Sequence, residues 1–104
     1  MIAYKYEYKD RQMPGTISVH PAKAHHTEAI QALAGQAYGV TPEVAADWFA
    51  AEQYRSRIEH FPAGQFIALE DATGRVVGMT SSMRFNYNPE STFVEDWDRT
   101  TGYG

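Results

Sequence analysis

The pattern of apolar and polar positions predicts two short strands at the beginning of the chain. Residues 2–8 read Ile-Ala-Tyr-Lys-Tyr-Glu-Tyr, so Ile2 and the three tyrosines fall on one side of an extended backbone. Pro14-Gly15 is a turn signal that ends this half-buried strand. The β-branched run Thr16–Val19 begins a second strand, which we expect to end at Pro21.

The pattern then changes to apolar residues every three or four positions, which predicts two amphipathic helices. The first helix runs from Thr27, a suitable N-cap, to Gly39, which suits a left-handed C-cap. Thr41-Pro42-Glu43 begins the second helix with a cap, a proline at the first helical position and an acid in the first turn. We expect this helix to continue to Phe61, because Pro62 disfavours helical geometry in the residue before it. Its apolar stripe consists of Val44, Trp48, Ala51, the stem of Arg55, Ile58 and Phe61.

A β-hairpin follows the second helix. The apolar run Gln65–Glu70 and the run Arg75–Phe85 both read as strands, and the short turn between them ends in Gly74. Both strands are apolar on both faces near the turn. We therefore expect the hairpin to lie in the centre of a sheet and to be covered on each side.

The tail from Asn86 to Gly104 differs in composition from the rest of the chain. It carries several acids, and its strongly apolar residues are Phe93, Val94 and Trp97. The sequence predicts one helical turn around these three residues and loop elsewhere.

Composition restricts the chain to one small domain. It has 104 residues, 43% hydrophobic and 21% charged, with 9 basic against 13 acidic side chains and a net charge of -4. This acidic balance argues against a nucleic-acid partner, which a basic patch would bind. The sequence contains no cysteine, so disulfides, thiolate metal sites and cysteine nucleophiles are excluded. We see neither a membrane-spanning run nor a secretory signal, and we expect a cytoplasmic chain without a membrane partner.

The side chains that usually perform chemistry lack the required spacing. Adjacent His25 and His26 project in different directions, and no two histidines share a helix face as metal ligands would, so we predict no metal. No serine lies in the glycine-flanked turn of a hydrolase nucleophile, and we name no catalytic residue.

The last six residues, 99–104, spell Arg-Thr-Thr-Gly-Tyr-Gly, which has the letters of an Arg-x-x-Gly-x-Gly pyrophosphate loop. Such a loop needs a strand before it and a helix N-terminus after it. Residues 95–98 do not read as a strand, and no helix follows Gly104. We interpret the match as a coincidence.

Two stretches carry a resemblance to a known family. They are FPAGQFIALED (residues 61–71) and GRVVGMTSS (residues 74–82), placed after two predicted helices. From Thr16 to Tyr87 the chain resembles the front half of the GNAT acetyltransferase superfamily, and it is most similar to GNAT domains joined to carbon-nitrogen hydrolases.

The resemblance implies an α+β fold in which two helices pack on an antiparallel sheet, a partial GNAT (acyl-CoA N-acyltransferase) fold. We expect one domain over residues 1–104, made of an N-terminal strand extension (1–15), a β-α-α-β-β core (16–87) and an acidic tail (88–104). In the family, acetyl-CoA binds in a later strand-loop-helix unit that this sequence lacks. We therefore expect no cofactor for this chain alone, and acetyl transfer to an amine only after completion by a C-terminal half.

By the same resemblance, Tyr38, Ser82 and Arg84 face the acceptor substrate. Their ordinary structural roles, a helix end and an edge strand, stay open as alternatives. A missing neighbour would leave the edge of the strand at Val76–Phe85 unpaired. We therefore expect a homodimer or a complementing C-terminal half, and the alternative function is a non-catalytic interaction module that uses this edge.

Overall fold

The computed structural model of the protein describes residues 15–104, in which one strand is followed by three α-helices, two further strands and a last α-helix. The strands are β1 (Ile17–Pro21), β2 (Gln65–Glu70) and β3 (Arg75–Ser81), and the α-helices are α1 (Thr27–Tyr38), α2 (Pro42–Trp48), α3 (Ala51–His60) and α4 (Phe93–Thr101). Single 3-10 turns occur at Ala24–His26 and Pro62–Gly64. The predicted tyrosine strand at residues 2–8 lies outside the described residues.

The three strands form an antiparallel sheet in the order β1-β2-β3, so the α+β prediction is confirmed at this level. β2 is the central strand, with Val19 opposite Ala68 on one side and Met79 opposite Ile67 on the other. The predicted hairpin is confirmed, and Gly74 closes its turn with φ 71°. β3 ends at Ser81 rather than at Phe85.

The hydrophobic core lies between one face of the sheet and the helices. Ile30 of α1, Tyr54 of α3, Ile67 of β2 and Val76 of β3 are all buried there, together with Ala22. This is the arrangement expected when amphipathic helices cover one side of a sheet.

The opposite face of the sheet is open among the described residues, and the expectation that the hairpin is covered on each side is wrong there. Val19 is 70% exposed, Ile17 51% and Phe66 37%. These three side chains share one face, since Val19 lies opposite Ala68 and side chains alternate along a strand. Both faces of the hairpin are apolar in sequence, but the helices cover only one of them.

The predicted second helix is broken in two, which corrects the expectation of one helix from Pro42 to Phe61. The backbone leaves helical geometry at Phe49 and Ala50, between α2 and α3. The side-chain oxygen of Gln31 on α1 accepts the N–H of Ala51 at 3.0 Å, a donor at the start of α3 that has no partner within its own helix. The break moves Trp48, predicted on the apolar stripe, to a position 61% exposed.

The tail contains a nine-residue helix, α4, rather than one helical turn. Thr92 and Glu95 form a reciprocal capping box, in which the Thr92 hydroxyl accepts the Glu95 N–H at 3.1 Å. Gly102 ends the helix in the left-handed conformation with φ 65°. These cap residues are visible in the sequence, and they are the signal that the apolar pattern alone does not contain.

The buried amide of Gln65 joins three elements at the start of β2. Its side-chain nitrogen donates to the backbone oxygens of Phe61 at 3.1 Å and Ser82 at 2.8 Å, and its side-chain oxygen accepts the Ser81 hydroxyl at 2.6 Å. Its backbone oxygen accepts the N–H of Ala22, just beyond β1. Gln65 is fully buried, so each of these groups depends on the others for hydrogen bonding.

Replacing Gln65→Leu should lower the free energy of unfolding by about 2 to 4 kcal/mol, because two buried carbonyls lose their donor. Urea unfolding measures this change. Gln36→Leu, at an exposed position on α1, is the matched control and should change stability by less than about 0.5 kcal/mol. Equal losses for the two variants would contradict the role of the Gln65 amide.

Asp71, in the hairpin turn, holds the beginning of β1. Its carboxylate accepts hydrogen bonds from the hydroxyls of Ser18 and Thr16, and its N–H donates to the Thr16 backbone oxygen at 3.0 Å. The Ser18 bond, followed by the Thr16 bond, lowers the pKa of Asp71 below its usual value. The charged carboxylate is therefore the form that ties the turn to β1.

Because the pKa of Asp71 is lower in the folded state than in the unfolded chain, its contribution to stability is complete above about pH 4 and is lost as the pH falls further. Asp71→Asn should therefore unfold at lower urea concentration than the native chain at pH 7, and the difference should shrink on acidification. Asp47→Asn removes an exposed aspartate from α2 and is the control. A difference that is constant from pH 7 to pH 3 would argue against this account.

Candidate functional site

Three aromatic rings meet where α1, α2 and α3 join. The rings of Tyr38 and Phe49 are stacked, with centroids 5.0 Å apart and planes 22° apart. The Trp48 ring meets Phe49 edge-on, at 6.4 Å and 78°. Tyr38 and Trp48 are 72% and 61% exposed, whereas Phe49 is half-buried and packs on the core. We call Tyr38, Trp48 and Phe49 the aromatic platform.

The platform exists because helix ends and the helix break place these residues together. Tyr38 is the last residue of α1, and Gly39 turns the chain away in the left-handed conformation with φ 68°. Trp48 is the last residue of α2, and Phe49 occupies the break before α3. From the sequence, Tyr38 is predicted as a substrate residue and Trp48 as part of the apolar stripe of one continuous helix. The meeting of the three rings is not predicted, because it depends on the helix break at Phe49.

An open groove of about 220 Å³ lies between α1 and α2. Its lining includes Gln31 and Gln36, and Glu28 is the acidic residue in it. The two helices approach closely because Gly35 has no side chain: a Cβ there would lie 2.7 Å from that of Ala45. The groove is open to solvent, its lining is more apolar than polar, and, among the described residues, Glu28 is the one side chain in it that can carry a charge.

The chain segment that carries the platform and the groove has an excess of acids. Residues 27–54 contain four acids, Glu28, Glu43, Asp47 and Glu52, and no lysine, arginine or histidine. Glu52 is paired with Arg55 at 2.6 Å. Neither α1 nor α2 has a basic residue in its last turn, so nothing on these helices offsets the negative ends of their dipoles.

Ser82 and Arg84, the other two predicted substrate residues, lie just after β3. The N–H and the hydroxyl of Ser82 both donate to the Gly64 backbone oxygen, at 2.9 and 3.1 Å. Arg84 is exposed in a segment without regular structure. Within residues 15–104, no hydrogen bond or ring contact joins Tyr38 to Ser82 or Arg84.

Arg57 of α3 contacts α4 through its guanidinium group. Its guanidinium lies 4.8 Å from the centroid of the Tyr54 ring and 5.2 Å from that of Trp97. Burial lowers the pKa of Arg57 and raises that of Tyr54, and the Arg57 Nε is buried without a hydrogen-bond partner among the described residues. No local sequence pattern predicts the contact between Arg57 and Trp97, because these two residues are far apart in the chain.

The Arg-Thr-Thr-Gly-Tyr-Gly letters lie at the C-terminal end of α4. The Gly102 N–H and the Tyr103 N–H both donate to the Asp98 backbone oxygen and cap the helix. The Gly104 N–H donates to the Thr101 hydroxyl at 2.8 Å. The Arg99 side chain is paired with Asp96. These donors are used within the helix end, whose dipole is negative, so the segment does not form a cradle for a diphosphate.

The paired histidines form a local turn rather than a ligand set. The rings of His25 and His26 lie 4.0 Å apart, and His26 Nδ1 accepts the Lys23 N–H at 2.9 Å. Burial, and then the neighbouring His25, lower the pKa of His26. Within residues 15–104, no group of three or more histidine, aspartate or glutamate side chains is arranged to hold a metal ion.

No protein-family model, no curated protein and no solved structure matches the chain. None of the helices in the part of the chain that the structure describes has the length and apolar character needed to cross a membrane.

Proposed function

We propose that this chain supplies the acceptor-side half of a GNAT-type N-acetyltransferase, which transfers acetyl groups from acetyl-CoA to an amine once a C-terminal half completes the fold. The proposal starts from the resemblance over residues 61–71 and 74–82. The connection order supports it: a strand, helices, and then an antiparallel hairpin that pairs with the first strand.

The observation that carries the proposal is the open side of the sheet. The Ser82 N–H donates to Gly64, just before β2, and Thr80 pairs with Phe66 of β2. Backbone groups alternate in direction along a strand, so those of Met79 and Ser81 point away from β2. This edge of β3 has no further strand among residues 15–104. The exposed Val19 and Phe66 lie on the face that the helices leave uncovered. An added strand and helix would bury both surfaces.

The described residues do not fit acetyl-CoA by themselves. The segment at 99–104 is a helix C-terminus, and Arg57, the partly buried cation, is enclosed by two rings. We therefore assign this half only an acceptor-side role, with Tyr38, Ser82 and Arg84 as substrate-facing residues and no catalytic residue. Ser82 would act through its position at the end of β3, since its hydroxyl is bonded to Gly64.

Isothermal titration with acetyl-CoA tests this function. The chain of residues 1–104 should give no heat, whereas the protein encoded by the reading frame continued beyond Gly104 should bind acetyl-CoA and release CoA when an amine acceptor is present. The continued frame should encode an apolar strand, a glycine-rich loop and a helix. Tight binding by residues 1–104 alone would contradict the proposal, as would a reading frame that encodes no such segment.

The second candidate is a non-catalytic interaction module, in which the same β3 edge pairs with a partner strand or with a second copy of the chain. Unpaired edge groups form a ready template for strand addition. The outward direction of the Ser81 backbone supports this candidate as well as the first, because a strand from any chain could pair there without disturbing β2.

Analytical ultracentrifugation tests this edge with two variants of one residue. Ser81→Pro removes the outward N–H and the hydroxyl, whereas Ser81→Ala removes the hydroxyl but keeps the N–H. If the edge forms a dimer, the native chain and Ser81→Ala should sediment as dimers and Ser81→Pro as a monomer. Circular dichroism checks that both variants are folded. A native chain that stays at 11.7 kDa at high concentration would exclude the homodimer.

A further inference from the structure

We propose that the aromatic platform binds the cationic side chain, lysine or arginine, of a basic polypeptide. This inference deepens the acceptor-side role proposed above, which already includes Tyr38, but binding of the cation does not depend on acetyl-CoA. It rests on the geometry of Tyr38, Phe49 and Trp48 and on the charge of the helices that present them.

The rings are held in place while two of them stay open to solvent. Phe49 is half-buried and packs on the core, and it fixes Tyr38 by stacking and Trp48 by an edge contact. Other exposed tyrosines differ: Tyr87 and Tyr103 are 84% and 79% exposed and have no ring contact within residues 15–104. A large ring that is both positioned and exposed offers a face for binding at little further entropic cost.

Charge determines the kind of partner that fits. The face of an aromatic ring is negative and attracts cations, most strongly for Trp and Tyr. The platform lies at the negative end of the twelve-residue helix α1, in a segment where Glu28, Glu43 and Asp47 have no basic residue between them and Glu52 is paired with Arg55. An anionic partner would be repelled by these features. A purely apolar partner would make no use of the excess negative charge.

The open shape indicates a side chain on a larger partner rather than a free small molecule. Sites for small ligands are concave and enclose most of the ligand surface. Tyr38 and Trp48 are instead 72% and 61% exposed, so the platform does not enclose a ligand. A side chain of a polypeptide can lie on such an open surface while the rest of the partner stays outside it.

Nuclear magnetic resonance titration of the two indole N–H signals tests this inference. A short glycine-lysine peptide with blocked termini should shift the Trp48 signal, while the Trp97 signal, whose N–H is bonded to the Gly104 oxygen at 3.0 Å, stays in place. The same peptide with norleucine for lysine has the shape without the charge. It should bind about 2-fold to 5-fold more weakly, the size of one cation–π contact at an exposed site.

Variants at exposed tyrosines localise the effect. Tyr38→Leu should weaken binding of the lysine peptide about 3-fold to 5-fold, whereas Tyr87→Leu, at an equally exposed tyrosine outside the platform, should not change it. Both positions are exposed, so both variants should fold, which circular dichroism verifies.

Three results would overturn the inference. Equal binding of the lysine and norleucine peptides would show that the surface recognises apolar groups. Spermidine binding as tightly as a lysine peptide of equal charge would indicate a free polyamine as the ligand. An unchanged Trp48 signal with both lysine and arginine peptides would show that the platform has no cationic partner.

Discussion

The fold depends on one buried polar residue, Gln65, because its amide and backbone satisfy groups from the end of α3, from β1 and from the end of β3. A buried amide is stable only when its partners are correctly placed, so this network restricts how these elements approach one another. Gly64 adds a steric condition, since a Cβ there would lie 2.6 Å from the Phe61 ring. Together they fix where β2 begins under the helices.

With β2 fixed in this way, the helices cover one face of the sheet, and this determines which apolar side chains and which strand edge stay exposed. The other face keeps Val19 and Phe66 exposed, and β3 keeps an unpaired edge among the described residues. These surfaces support the proposals of a completing half or a partner strand. The break after Trp48 produces the aromatic platform at the helix ends.

Local sequence chemistry predicted the elements whose ends carry their own stop and start signals. Gly39 and Gly74 both have the positive φ that ends a helix or closes a turn. Pro42 is the first residue of α2, a position that needs no N–H donor. α4 was within reach of the same reasoning through Thr92 and Glu95, but the few apolar residues of the tail gave no clear period. Of the predicted substrate residues, the sequence identified Tyr38 at a helix end but not the rings that accompany it.

The sequence by itself determined α1, the beginning of α2 and the hairpin of β2 and β3, because capping residues, turn glycines and apolar periods act over a few neighbouring residues. Only the tertiary structure decided that the helix breaks at Phe49, since the acceptor for the Ala51 N–H is the side-chain oxygen of Gln31, twenty residues earlier. It likewise decided that one apolar face of the hairpin stays open and that Arg57 meets Trp97. Such contacts join distant residues, and no local pattern encodes them.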